Sequence, residues 1–157
     1  MERTKGFIVS KNIEDAEKYD KIVFVLAKTS NPGASFLQDL RIGKEFLYEK
    51  IAHITNEMGK SLRGRYGYSN IGIVVGATYP SDLRDLRKKF PHLFFLVPGY
   101  GTQGGEIQDF PEGMIINVSR SLIYAFEKDK EKKDYKIAIR KMAIKILNEI
   151  PFERKIA

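Results

Sequence analysis

The stretch VVGATYPSDLRDLRKKFPHLFFLVPGYGTQGG, residues 74–105, holds a strand end, a turn, a helix, a second strand and a glycine-rich loop in succession. Its apolar runs, residues 71–75 and 93–97, are continuous rather than alternating, which predicts strands buried on both faces. After Tyr79-Pro80, Ser81 is placed to cap a helix that opens Asp82-Leu83-Arg84, with Asp82 near the positive end of the helix dipole. The second strand runs straight into four glycines within eight residues, 98–105.

Outward from this unit the same alternation repeats. Residues 22–26 and 114–118 are further apolar runs of the buried-strand kind, and residues 6–9 form a weaker one. Between them, residues 44–62 carry Leu47, Ile51, Ile54, Met58 and Leu62 at spacings of three and four, one face of a helix. A last helix is expected over about residues 134–149, with Ile139, Met142, Ala143, Ile146 and Ile150 on its buried side and Pro151 ending it. Strands alternating with helices predict a parallel sheet, in either an open doubly wound sheet or part of a closed barrel. Every strong strand ends in a loop rich in Gly, Pro and polar residues: 29–33, 76–80, 98–105 and 117–120. Ligand sites of parallel α/β proteins lie at that end of the strands. Neither repeats nor low-complexity segments divide the chain, so residues 1–157 read as a single domain.

The composition sets the limits. At 157 residues with 43% apolar and 30% charged side chains, one globular domain is expected. No apolar stretch is long enough to span a membrane, and the opening MERTKGFIVSKN is too short an apolar run for a secretory signal, so a cytoplasmic protein with no membrane partner is expected. The absence of cysteine excludes disulfides and thiolate chemistry, and with only His53 and His92 no metal site is expected. Both histidines read as non-catalytic, and no cofactor is called for. A net charge of +7 favours anionic partners. Much of it lies in residues 128–141, where both signs interleave as on a solvated helix face, and no nucleic-acid-binding signature accompanies it.

Two loops carry candidate chemistry. In PGYGTQGG, Pro98 to Gly105, glycines including Gly104 let backbone N–H groups approach an anion, and Gln103 adds a neutral donor. A plain strand-to-helix turn would have the same look. In Asn117-Val118-Ser119-Arg120, N–H groups and the Arg120 guanidinium could grip the same anion from the other side. The alternative is a surface arginine paired with a local carboxylate. Together the two loops have the form of the phosphate site that barrels build after their last two strands.

Residues 74–105, followed by INVSRSLIYA at 116–125, resemble the carboxyl half of orotidine 5′-phosphate decarboxylases, and FVLAKTSNPGASFLQDL at 24–40 resembles the longer bacterial branch of that family. The resemblance covers residues 22–125. It implies a partial (β/α)8 barrel of the TIM type, holding the last four or five strand–helix units with their outer helices. By the same resemblance Ser30 hydrogen-bonds a pyrimidine base near its carboxylate, and Gly76, Ala77 and Thr78 shape the pocket. Pro98, Gln103 and the glycines after it, Gly104 among them, form the loop over the phosphate, while Ser119 and Arg120 bind it. The implied ligand is orotidine or uridine monophosphate, and the implied function belongs to pyrimidine nucleotide biosynthesis.

The family's chemistry rests on a D-x-K-x-x-D array, and no such string occurs here; residues 129–134 have the wrong spacing and no preceding strand. No catalytic residue is therefore assigned. Two expectations follow: a decarboxylase half that works once the array is supplied, or a non-catalytic nucleotide- or phosphate-binding module. Half a barrel leaves two sheet edges and an apolar face to cover, so a homo-oligomer or a missing amino-terminal half is expected as partner.

Overall fold

The computed structural model describes residues 9–100, 112–128 and 134–150, with side chains described from residue 12. The expected strand at 6–8, Gln103, Gly104, most of the 98–105 loop and Pro151 lie outside the described residues. Among the described residues the α-helices and β-strands follow in this order: α1 (Val9–Lys18), β1 (Val23–Lys28), α2 (Ala34–Gln38), β2 (Arg41–Ile42), β3 (Glu45–Phe46), α3 (Leu47–Gly59), β4 (Ile71–Val75), α4 (Pro80–Lys89), β5 (Phe94–Pro98), β6 (Met114–Asn117), α5 (Arg120–Ile123), α6 (Ala125–Lys128) and α7 (Tyr135–Glu149). Val9 therefore opens a helix instead of closing a strand.

Strands β1, β4, β5 and β6 form one parallel sheet in that spatial order. Each strand joins beside its predecessor without reversal, whereas a doubly wound sheet changes direction at a switch point. The helices of the core, α3, α4 and α7, contribute to one buried cluster on one sheet face. Ile73, Val75, Phe95 and Val97, all fully buried, meet Tyr48 and Ala52 of α3, Leu83 and Leu86 of α4, and Ile146 of α7 there. Each such side chain stabilises the fold by about 1.5–3 kcal/mol. A unidirectional parallel sheet with helices against one face is the layout of a barrel segment, here four strand units.

The opposite face is open. Because side chains alternate, Leu26, Val74, Leu96 and Ile115 share a row on it. Val74 at its centre is 8% exposed, but Leu26 is 59% and Ile115 41% exposed. The expectation that all four strands are buried on both faces holds for β4 and fails for β1 and β6. An edge strand has a neighbour on one side only, so no length of apolar run buries its outer atoms. Phe24 lies across Gly72, where an added Cβ would come within 2.6 Å of its ring and of the Phe94 carbonyl oxygen.

Two helix details differ from expectation. Ser81 is inside α4; Tyr79 holds the cap position and Pro80 the first turn, a place where its missing N–H costs nothing. In α3 the buried stripe is Tyr48, Ala52, Thr55 and Gly59, while Ile54 is 42% exposed. Small residues bring this helix close to the sheet, with Gly59 against Ser69. The helix begins at Leu47, after the β2–β3 hairpin, and the Phe46 N–H donates to Glu49 Oε2 at 3.0 Å. For α7 the expected span holds: Asp134 caps it, accepting from the Lys136 N–H at 2.8 Å, and Ile150 is buried at its end, while Ile139, Met142, Ala143 and Ile146 are half-buried and Ala138 is the buried residue within the helix. No helix among the described residues is long and apolar enough to cross a membrane.

Candidate functional site

Parallel pairing puts the carboxyl ends of all four strands on one edge of the sheet. Backbone hydrogen bonds then join those ends. The Gly76 N–H donates to the Lys28 carbonyl at 2.7 Å, and the Ala77 N–H to the Pro98 carbonyl at 2.9 Å, while Pro98 pairs with Asn117 in register. Ser30, Thr78, Pro98, Ser119 and Arg120 thereby lie on consecutive turns of one rim.

The first two turns touch. A Cβ on Gly76 would lie 2.8 Å from Ser30 Cβ and 2.9 Å from its nitrogen, so only glycine lets the Ser30 backbone settle there. The Ser30 turn is held from its other side by Gln38 of α2, whose Oε1 accepts from the Thr29 N–H at 2.9 Å, and Thr29 Oγ1 bonds Asn31 Oδ1. Thr78 is half-buried, and among the described residues its hydroxyl is buried without a hydrogen-bond partner. An orphaned buried hydroxyl is costly unless something else completes it.

On the far turn, Ser119 Oγ donates to Asn117 Oδ1 at 3.2 Å, and Ser119 precedes the four-residue helix α5. Arg120 is exposed and makes no ion pair among the described residues. Its guanidinium has the planar fork of donors that suits oxyanions. Gln103 and Gly104, the other expected members, lie outside the described residues. His53 packs edge-on against Phe90 at 6.3 Å on α3, and His92 Nδ1 lies 3.0 Å from the Gly67 carbonyl oxygen, at the opposite edge of the sheet.

One group went unassigned in the sequence. Lys28, the last residue of β1, is 4% exposed. A bulge between Leu26 and Lys28 pairs Lys28 with Val75, turning it from the open face to the helix side. There its ammonium meets Asp82 Oδ2 at 2.5 Å and Asp39 Oδ1 at 2.9 Å, and lies over the rings of Tyr48 at 4.2 Å and Tyr79 at 4.4 Å. Burial by itself would lower the ammonium's pKa, but bonds to the two carboxylates and their charges outweigh it and hold it above 10.5. Burial, together with Asp82, pushes the Tyr48 phenol up to about 12. A lysine that ends an apolar strand immediately before a polar turn was the only sequence sign of this cluster.

Residues 7–135 match the family model described as Orotidine 5'-phosphate decarboxylase / HUMPS family. Among curated proteins, the chain is similar to the orotidine 5'-phosphate decarboxylase of Caldicellulosiruptor bescii, 43% identical over 134 residues that make up 78% of this chain and 44% of that protein. It is similar to the Clostridium perfringens protein of the same name, 37% identical over 141 residues, 85% of this chain and 49% of the relative. The structure of Leishmania donovani OMP decarboxylase superposes with a TM-score of 0.60 at 34% identity, covering 89% of this chain and 53% of that one. The chain thus spans about half the length of the curated relatives it matches.

Proposed function

Because the chain belongs to the orotidine 5'-phosphate decarboxylase / HUMPS family, we propose that it supplies the phosphate and base side of a nucleoside monophosphate site in pyrimidine biosynthesis, as one cytoplasmic domain spanning residues 1–157. The observation that carries this reading is the rim: Ser30, Thr78, Pro98, Ser119 and Arg120 follow the ends of four adjacent parallel strands, with the Gly76 N–H bonded to the Lys28 carbonyl and the Ala77 N–H to that of Pro98. Arg120 forks to the phosphate beside Ser119, Pro98 sets the start of the next loop, and the family resemblance assigns further phosphate contacts to Gln103 and Gly104. Ser30 faces the pyrimidine, and the Thr78 hydroxyl finds its partner in the loaded site.

Decarboxylation of orotidine monophosphate breaks the bond between the ring and its carboxylate and leaves a ring carbanion that must be protonated. Without a cofactor to delocalise that charge, the barrier has to be lowered by electrostatics and by binding energy from the remote phosphate. The residues named here do the second; the Asp/Lys array that does the first is supplied by chain outside this sequence. The open sheet face and the edges at β1 and β6 are where that remaining barrel packs. A second copy of this chain is the other source of cover.

The test pairs calorimetric titration of the chain with uridine monophosphate and an assay of carbon dioxide release from orotidine 5′-phosphate, with and without the amino-terminal half of a relative. Binding by the chain and turnover only in the mixture is the expected result. Binding that never leads to turnover would point to the non-catalytic module, and absence of both would overturn the reading.

A further inference from the structure

We infer that Lys28 is a positioning residue for the base side of the site, acting through the turns at residues 29–31 and 76–79 without touching the ligand. This rests on the function proposed above. The argument begins with what one ammonium joins. It is carried by the end of β1, and its contacts come from Asp39 just after α2, Tyr48 at the start of α3, and Tyr79 and Asp82 at the start of α4. Both turns that bear Ser30 and Thr78 thus hang from a single buried cation.

The cluster is nearly closed to solvent at its centre. Lys28's side chain is 5% exposed, against 34% for Asp39 and 24% for Asp82. A buried cation is retained only where its hydrogen-bonding groups are met, and removing one partner leaves the others uncompensated. Aromatic rings on two sides add attraction through their faces and fix the direction of approach. The bulge that turns Lys28 inward also sets the backbone of Thr29 and Ser30, since Gly76 donates to the Lys28 carbonyl and packs on Ser30. If the ammonium goes, Asp39 and Asp82 repel one another, and the two turns separate at the place where Gly76 and Ser30 touch. The Arg120 turn, on β6 at the far side of the sheet, has no part in the cluster.

This spatial split gives the test. Lys28→Met, Lys28→Arg and Asp82→Asn are compared with the unaltered chain by hydrogen-exchange mass spectrometry in the absence of ligand and by affinity for uridine monophosphate and ribose 5-phosphate. Lys28→Met is expected to lose exchange protection in peptides covering 28–40 and 75–82 while the β5 peptide keeps its own. Uridine monophosphate should bind about tenfold more weakly, the loss of roughly one hydrogen bond to the base, with ribose 5-phosphate changed by less than about twofold. Lys28→Arg should restore most of both, and Asp82→Asn should reproduce the split with smaller amplitude if Lys28→Met does not fold. Unchanged protection, or equal loss for both ligands, overturns the inference. An unaltered chain that binds neither ligand would instead defeat the proposed function, and the exchange pattern alone would then decide the part played by Lys28.

Discussion

The two faces of the four-stranded sheet are covered to very different degrees. On the helix side, Phe95, Ile73, Val75 and Val97 are fully buried; on the other, Leu26 and Ile115 in a row of equally apolar residues stand 59% and 41% exposed. The same residue types thus serve as a finished core on one side and an uncovered one on the other. The chain's packed core lies on the first face, while the second carries apolar side chains that the described residues leave uncovered.

The comparison can be broken most decisively at Phe95. Phe95→Ala should destabilise the chain by about 3–5 kcal/mol, a loss of contacts plus a cavity, read from chemical denaturation; a loss near zero would mean the helix side is no finished core. Arg120→Ala should leave the denaturation midpoint unchanged yet weaken uridine monophosphate binding by about 2 kcal/mol in calorimetry, since a charge-assisted fork is lost from an exposed position. Equal affinity would remove Arg120 from the site. Leu26→Asp should shift the chain's own stability by less than about 0.5 kcal/mol and abolish rescue of turnover by an added amino-terminal half. Rescue that survives it would show that the open face is not where the remaining barrel packs.

The smallest effect is alkaline. Lys28 is held above its ordinary 10.5, so the stability it contributes is whole below that pH and is lost as pH rises through the higher folded value. The Tyr48 phenol, pushed up to about 12 chiefly by burial, keeps its proton while an unfolded tyrosine ionises from 10.0, which has the same sign. Denaturation midpoints should therefore fall as pH climbs above about 10, and Lys28→Met should flatten that fall. An identical slope in the variant would detach the cluster from stability.

Some of this was legible before any coordinates. The continuous runs at 71–75 and 93–97 became β4 and β5, Asp134 and the apolar spacing after it became α7, and the polar turns after each strand share the expected rim. In α3 the apolar spacing pointed to Ile54, but the buried stripe runs through Ala52, Thr55 and Gly59, because close approach to the sheet favours small side chains over large ones. Lys28 was invisible in role: its partners Asp39 and Asp82 lie far along the sequence, and a bulge, which no periodicity announces, turns it toward them.

The sequence by itself determined the order of strands and helices and the placing of Ser30, Thr78, Pro98, Ser119 and Arg120 directly after strands, because apolar periodicity and turn chemistry are local properties of the chain. Only the tertiary structure decided which apolar residues are covered and which buried charge is answered. Burial belongs to a residue together with its neighbours, and an edge strand lacks one of them. An ion pair likewise depends on distances that folding sets, so the 2.5 Å between Lys28 and Asp82 is a fact of packing, across 54 positions of sequence.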